Sequence, residues 1–147
     1  TRRERVRETM LAVKQLWTEE EAEFHGEFID FDPSWAWPKP VKEKGPRVML
    51  GGAPGPTIFQ HIAEFGNGWM PIGGSGIKAS LSDLQKVCES KERDFSEISI
   101  IPFGTVPDQG KLDYFEELGV DEVILRVPAG PREYVLETLD SYVSFLK

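Results

Sequence analysis

Cysteine is almost missing from this 147-residue chain. Cys88 stands alone, so no internal disulfide can form, and a lone thiol suits a reducing compartment such as the cytoplasm. Positive charge is also scarce: 17 Lys and Arg against 25 Asp and Glu leave a net charge of −8. That balance argues against nucleic acid and anionic membranes as partners, because both reward clusters of Lys and Arg. No apolar run approaches the roughly 18 residues needed to span a bilayer. The GK[ST] phosphate loop and the GxGxxG dinucleotide fingerprint are both missing, as is any low-complexity segment. With only two histidines, no Ser–His–acid arrangement, paired catalytic carboxylates or metal cluster can be argued from the pattern. No secretory leader opens the sequence, and its first residues, TRRERVRETM, already follow a helical pattern. A processed or truncated product, or part of a longer protein, is the expectation.

What is present begins with a helix. Val6, Met10, Val13 and Trp17 fall on one face at helical spacing, which predicts a helix over Arg3–Trp17. TEEEAE reads as a solvated turn, and AEFHGEFIDF as a hairpin turning at His25-Gly26. DPSWAWPKPVKEKGP carries four prolines and reads as an extended surface segment, neither strand nor helix, pinned to the body by Trp35 and Trp37. These parts make up residues 1–17 (helix) and 18–46 (hairpin and proline-rich insertion).

From residue 47 a rhythm appears. RVMLGG, NGWMPIGG, ISIIPFG and VDEVILRVP read as strands, each followed by an amphipathic helix. Thr57 and Gln60 suggest a capping box for the first of these helices and Gly66 its stop, Gly119 closes the third, and Pro131 opens the last. Apolar strands alternating with helices imply an α/β chain with a parallel sheet buried on both faces. In such folds ligands gather at the carboxyl ends of the strands. Those ends read GGAPGP, PIGGSG, PFGTVP and RVPAGP, rich in glycine and proline. Tight turns alone account for part of this. The sharper reading is that GGAPGP and PIGGSG clamp one phosphate, with close backbone approach, converging N–H groups and helix N-termini. The remaining candidates are plainer. His25 reads as a turn residue, His61 and Glu64 as a surface pair, and Cys88 as core. Arg126, the one charge inside an apolar strand, either faces a ligand or snorkels at the rim.

The run from Leu16 to Pro71 carries several motifs in order: LW, FHGEFIDF, WPKPV, GG and GNGW, with LGVDEVIL later. Together they resemble the luciferase-like monooxygenase family, and within it the branch that uses the deazaflavin coenzyme F420. Asn67 departs from the aspartate usual in the GDGW motif, which bears on local capping more than on chemistry. The resemblance implies the C-terminal half of a (β/α)8 barrel: four parallel β/α units over residues 47–147, preceded by a helix and a short hairpin. It also implies an oxidoreductase or monooxygenase with F420 or FMN as cofactor and a small-molecule substrate. By the match, Gly51, Gly52 and Ala53, with Pro71, Ile72 and Gly73, line the cofactor phosphate; Gly74 and Ser75 join them on the anion-binding argument alone. In the family the groups facing the flavin ring and substrate come largely from the other half of the barrel, so the catalytic residues are not named. A half barrel leaves two sheet edges and an apolar face open, which predicts a homo-oligomer if the chain exists alone. The alternatives are a non-catalytic half barrel serving as an association module, and a sugar-phosphate-binding barrel portion.

Overall fold

The computed structural model describes residues 1–74, 76–120 and 122–146. The chain divides into two compact units, Thr1–Val48 and Met49–Lys147.

The first unit opens with helix α1, Arg2–Thr18, started by a capping box between Thr1 and Glu4. Strands β1 (Ala22–His25) and β2 (Asp30–Ser34) follow as an antiparallel pair with an irregularity between Ala22 and Phe24. The expected hairpin is therefore present, but His25 ends β1 instead of sitting at the tip. The tip is held by Glu8 of α1: its carboxylate accepts backbone N–H bonds from Phe28 at 2.7 Å, Ile29 at 3.1 Å and Glu27 at 3.2 Å. Sequence spacing gives no hint of this tether, because its partners lie about twenty residues apart.

The proline-rich segment departs from expectation in two ways. Pro33 lies inside β2, at a position tolerable in a two-stranded ribbon, where each strand has a free edge. Trp35 and Trp37 do not pin the segment, being 74% and 66% exposed. The Trp35 indole N–H reaches the Glu21 carboxylate at 3.1 Å, and the Lys39 ammonium sits 5.3 Å from the Trp37 ring. The anchor is Trp17 instead. Its ring lies so close over Gly45, at φ +79°, that no Cβ would fit there. Lys39 adds a second tie by donating to the carbonyls of Leu16, at 2.8 Å, and Glu19 at the end of α1.

The second unit is an alternation of parallel strands and helices, in the order β3 (Met49–Gly51), α2 (Pro56–Phe65), β4 (Gly68–Met70), α3 (Ile77–Ser90), β5 (Ser99–Ile100), β6 (Phe103–Thr105), α4 (Gln109–Glu117), β7 (Ile124–Leu125) and α5 (Arg132–Tyr142). Strands β3, β4 and β5 pair in parallel, β6 pairs in parallel with β7, and an isolated parallel bridge from Ile72 to Phe103 links the two sets. ISIIPFG, expected as one strand, is thus two. Across the break the alternate N–H groups still reach the β4 side, Ile101 to Trp69 O at 2.9 Å and Phe103 to Pro71 O at 3.0 Å, while Pro102, which has no N–H, meets the β7 side through its carbonyl alone, accepting from Ile124 N–H at 2.9 Å. VDEVILRVP, expected as a near-continuous strand, forms strand β7 over Ile124–Leu125 among the described residues, and Asp121 lies outside them. Two residues of β6 advance for one of β7 across Gly104, whose φ of +72° marks a bulge.

The core lies between the strands and their helices. Leu50, Trp69 and Ile100 share one row of the β3–β4–β5 sheet, and Trp69 and Ile100 cluster with Phe59 and Ile62 of α2, Leu84 and Cys88 of α3, and Phe115 of α4. Burying such side chains stabilises by roughly 1.5–3 kcal/mol each. Helix α5 contributes no buried residue among those described. The expected capping box at Thr57 and Gln60 does not form: Pro56 takes the first helical position, Gly55 becomes the N-cap, and Thr57 falls inside the helix. Gly66 does end α2, and the reason is space, since a Cβ would lie 2.7 Å from Leu50 Cδ1 and 2.8 Å from Ile62 Cα.

The three N–H bonds, that of Phe28 foremost, hold the Glu8 carboxyl below its ordinary pKa. A depressed folded pKa gives stability that is present above the unfolded value, about 4.3, and lost as pH falls through the folded one. Glu8→Gln should therefore leave the hairpin tip loosened at neutral pH. Amide exchange at Phe28 and Ile29 should quicken in the variant, and the wild type should approach the variant's rates only as pH falls below the ordinary glutamate range. Equal protection at pH 7 would remove the tether.

Candidate functional site

Four strand ends deliver loops to one edge of the sheet, and the first two are tied together. Gly51 at the end of β3 is in register with Met70 at the end of β4, and Gly52 N–H donates to Met70 O at 3.3 Å. Gly52 O in turn accepts from the Trp69 indole N–H at 2.9 Å. The third strand end joins from the other side, because Gly73 N–H donates to Phe103 O at 2.7 Å. Of the expected site residues, Gly51, Gly52, Ala53, Pro71, Ile72, Gly73 and Gly74 therefore sit on neighbouring turns. Ser75 lies outside the described residues.

Both turns run into helices with open N-termini. Helix α2 starts at Gly55 and α3 at Gly76, neither with a side-chain cap, and α5 starts likewise at Pro131. Helix α4 differs, since Asp108 caps it through Lys111 N–H at 3.1 Å. The N-cap residues of α2 and α3, both glycine, thus offer no side-chain acceptor to the first-turn N–H groups, and the helix dipole there favours negative charge. Gly73, Gly74 and Gly76 all take the left-handed conformation, with φ of +63°, +80° and +78°. Their surroundings differ. A Cβ on Gly73 or Gly76 would meet nothing within 4 Å, whereas one on Gly74 would collide with the Phe115 ring of α4. The space over Gly73 and Gly76 is open, and Phe115 braces the turn at Gly74.

The other candidates sort plainly. Cys88 is fully buried and its thiol pKa is raised by burial, so it remains a neutral core residue. His25 Nδ1 lies 2.7 Å from Asp30 Oδ1, and this contact raises the imidazole pKa, which makes the pair a strand-end ion pair on the hairpin. His61 stacks obliquely on Phe65 at 5.4 Å within α2, and no cluster of metal-binding side chains occurs among the described residues. Arg126 follows β7 as an exposed residue, its N–H on Thr105 O at 2.7 Å and its O receiving the Tyr142 hydroxyl at 3.0 Å. No helix among the described residues is long and apolar enough to cross a membrane. The bond from Trp69 to Gly52 is not visible to sequence periodicity. The available signal was an aromatic at the matching position of the strand beside one that ends in GG.

The luciferase-like monooxygenase family profile matches residues 1–107. The chain belongs to that family. An uncharacterised protein of Mycobacterium tuberculosis is 40% identical over 129 residues, which cover 86% of this chain and 45% of that protein. An FMNH2-dependent dimethylsulfone monooxygenase of Pseudomonas putida is 30% identical over 84 residues, 55% of this chain and 23% of that enzyme. An F420-dependent glucose-6-phosphate dehydrogenase of Kineococcus radiotolerans is 30% identical over 73 residues, 50% of this chain and 21% of that enzyme. This chain therefore spans less than half the length of these relatives. Among solved structures, the monooxygenase RslO1 of Streptomyces bottropensis superposes with a TM-score of 0.70 at 16% identity, covering 95% of this chain and 59% of that one. The α/β fold is that of luciferase-like barrel enzymes.

The contrast between neighbouring glycines is testable. Gly74→Ala should cost about 2–4 kcal/mol, because the methyl is forced into Phe115 and the backbone is left-handed. Gly73→Ala carries only the backbone cost of about 1 kcal/mol. Chemical denaturation of the two variants checks the order, and equal losses would contradict the brace.

Proposed function

We propose that this chain supplies the cofactor phosphate site of a flavin- or F420-dependent oxidoreductase or monooxygenase, as the last four units of a (β/α)8 barrel. The observation that carries the reading is the pairing of two glycine turns by the β3–β4 ladder, each turn opening a helix that has no side-chain cap. The residues fit a phosphate: Gly51, Gly52, Gly73 and Gly74 carry no side chain to hold an anion off, space is open over Gly73, and two helix dipoles add their fields. Ser75 is included by its place in the turn. A flavin or deazaflavin held there supplies hydride or electron transfer. The chain's own part is to bind the phosphate end, fix the cofactor's orientation and keep water from that end. FMN and F420 share the phosphate that these turns suit, and relatives of both kinds support either. The reacting substrate is a small molecule.

Strand order following chain order from β3 to β7, with every pairing among these described strands parallel, supports the half barrel. So does the sheet face away from the helices. There Ile72, Phe103 and Ile124 stand in one cross-strand row, and Ile72 and Ile124 are 68% and 40% exposed. In a whole barrel this face is interior. Left to itself, the chain associates with a second copy to cover it, and a cytoplasmic setting keeps Cys88 reduced.

Gly52→Val in the full-length protein should weaken FMN or F420 binding by about 10-fold or more, roughly 1.4 kcal/mol. The added side chain crowds the phosphate, while Ile58 Cδ1, 3.1 Å from the new Cβ, can shift. Titration by flavin or deazaflavin fluorescence reads the effect, and unchanged affinity for both cofactors would sink the assignment. For the isolated chain, sedimentation at micromolar concentration should show a dimer or larger species. A well-folded monomer with cooperative unfolding contradicts the half barrel.

A further inference from the structure

We infer that Trp69 is a positioning residue for the phosphate site: its indole N–H, bound to the Gly52 carbonyl, fixes the Gly52–Ala53 peptide so that the Ala53 N–H faces the anion. The inference rests on the reading of the paired glycine turns as a phosphate site.

The peptide plane sets the direction of both groups. In a trans peptide the carbonyl and the following N–H point in opposite directions. The cis bond among the described residues is Trp37–Pro38, so the Gly52–Ala53 peptide is trans. Its carbonyl is drawn toward the fully buried Trp69 by a 2.9 Å hydrogen bond. The Ala53 N–H is therefore turned the other way, out of the core, at an exposed residue. The neighbouring donor is already engaged, since Gly52 N–H binds Met70 O at 3.3 Å. Of Gly52 and Ala53, the second is thus the donor, and Gly52 contributes by having no side chain.

That same lack of a side chain creates the need for a lock. A peptide following glycine rotates with little steric resistance, because no Cβ opposes it. Gly52, at φ +153°, is in a conformation that glycine leaves readily. The indole is well suited to hold it. Its ring is wedged edge-on against Phe59, with centroids 5.4 Å apart and planes at 84°, inside the core cluster. The donor cannot swing away without disturbing that packing. Without it, the carbonyl turns freely, and the Ala53 N–H spends less time aimed at the phosphate.

The test compares ligands with and without the phosphate. Full-length wild type and Trp69→Phe are titrated with FMN and riboflavin, and with F420 and its phosphate-free deazaflavin. Phenylalanine keeps an aromatic ring against Phe59 and removes the donor. The expected result is a 3- to 10-fold loss of affinity for the phosphate-bearing ligand, about the worth of one neutral hydrogen bond, with the phosphate-free ligand unaffected. A purely structural role would weaken both ligands alike, and an unchanged preference for the phosphate form in a folded variant overturns the inference. If Trp69→Phe does not fold, 3-benzothienylalanine at position 69 keeps the bicyclic shape without the N–H, and the same two outcomes decide. A wild type that binds FMN no better than riboflavin, and F420 no better than its phosphate-free form, overturns the phosphate site itself. A wild type with that preference, and a variant that keeps it, overturns the role of Trp69 alone.

Discussion

The second unit depends on the burial of one strand row against two helices. Leu50, Trp69 and Ile100 are carried by the three adjacent strands β3, β4 and β5 at matching positions, and Trp69 is fully buried in their midst. A strand register can shift only in whole residues, and a one-residue slip would turn Trp69 to the opposite face. The apolar contacts of Trp69 and Ile100 with Phe59, Ile62, Leu84 and Cys88 therefore fix the register. The register in turn fixes which loops lie side by side. The place of Gly51 beside Met70 is a consequence of core packing, reached before any ligand is considered.

From that constraint the site follows in two steps. Parallel strands put all their carboxyl ends on one edge, and helices returning from that edge begin there. Where a helix lacks a side-chain cap, its first N–H groups remain available to something else. Helices α2 and α3 begin this way behind glycine turns, whereas α4 is capped by Asp108. Backbone N–H groups at uncapped helix starts thus favour negative charge on that edge.

Much of this was legible in the sequence. The α1 helix, the hairpin, the four strand–helix alternations and the glycine-rich strand ends all follow from local periodicity and turn chemistry. The motifs from Leu16 to Pro71 identified the family. What sequence missed has a common physical cause, namely contacts between residues far apart in the chain. Trp35 and Trp37 looked like anchors because tryptophans usually bury. The space was taken instead by Trp17 over Gly45, a pairing no local pattern reports. Glu8 as the clasp of the hairpin and Trp69 as a donor to Gly52 were hidden for the same reason. The shortened β7 and the split at Pro102 reflect ladder geometry, in which a proline and a bulge at Gly104 overrule an apolar run.

The central claim is that backbone on two adjoining glycine turns receives the phosphate of a flavin or deazaflavin. A crystal structure of the full-length protein with FMN or F420 bound tests it most directly. The account predicts phosphate oxygens about 3 Å from the Ala53 amide nitrogen and against the Gly73–Gly74 turn. A phosphate resting instead on the loops after β6 or β7, with both glycine turns facing solvent, would contradict it.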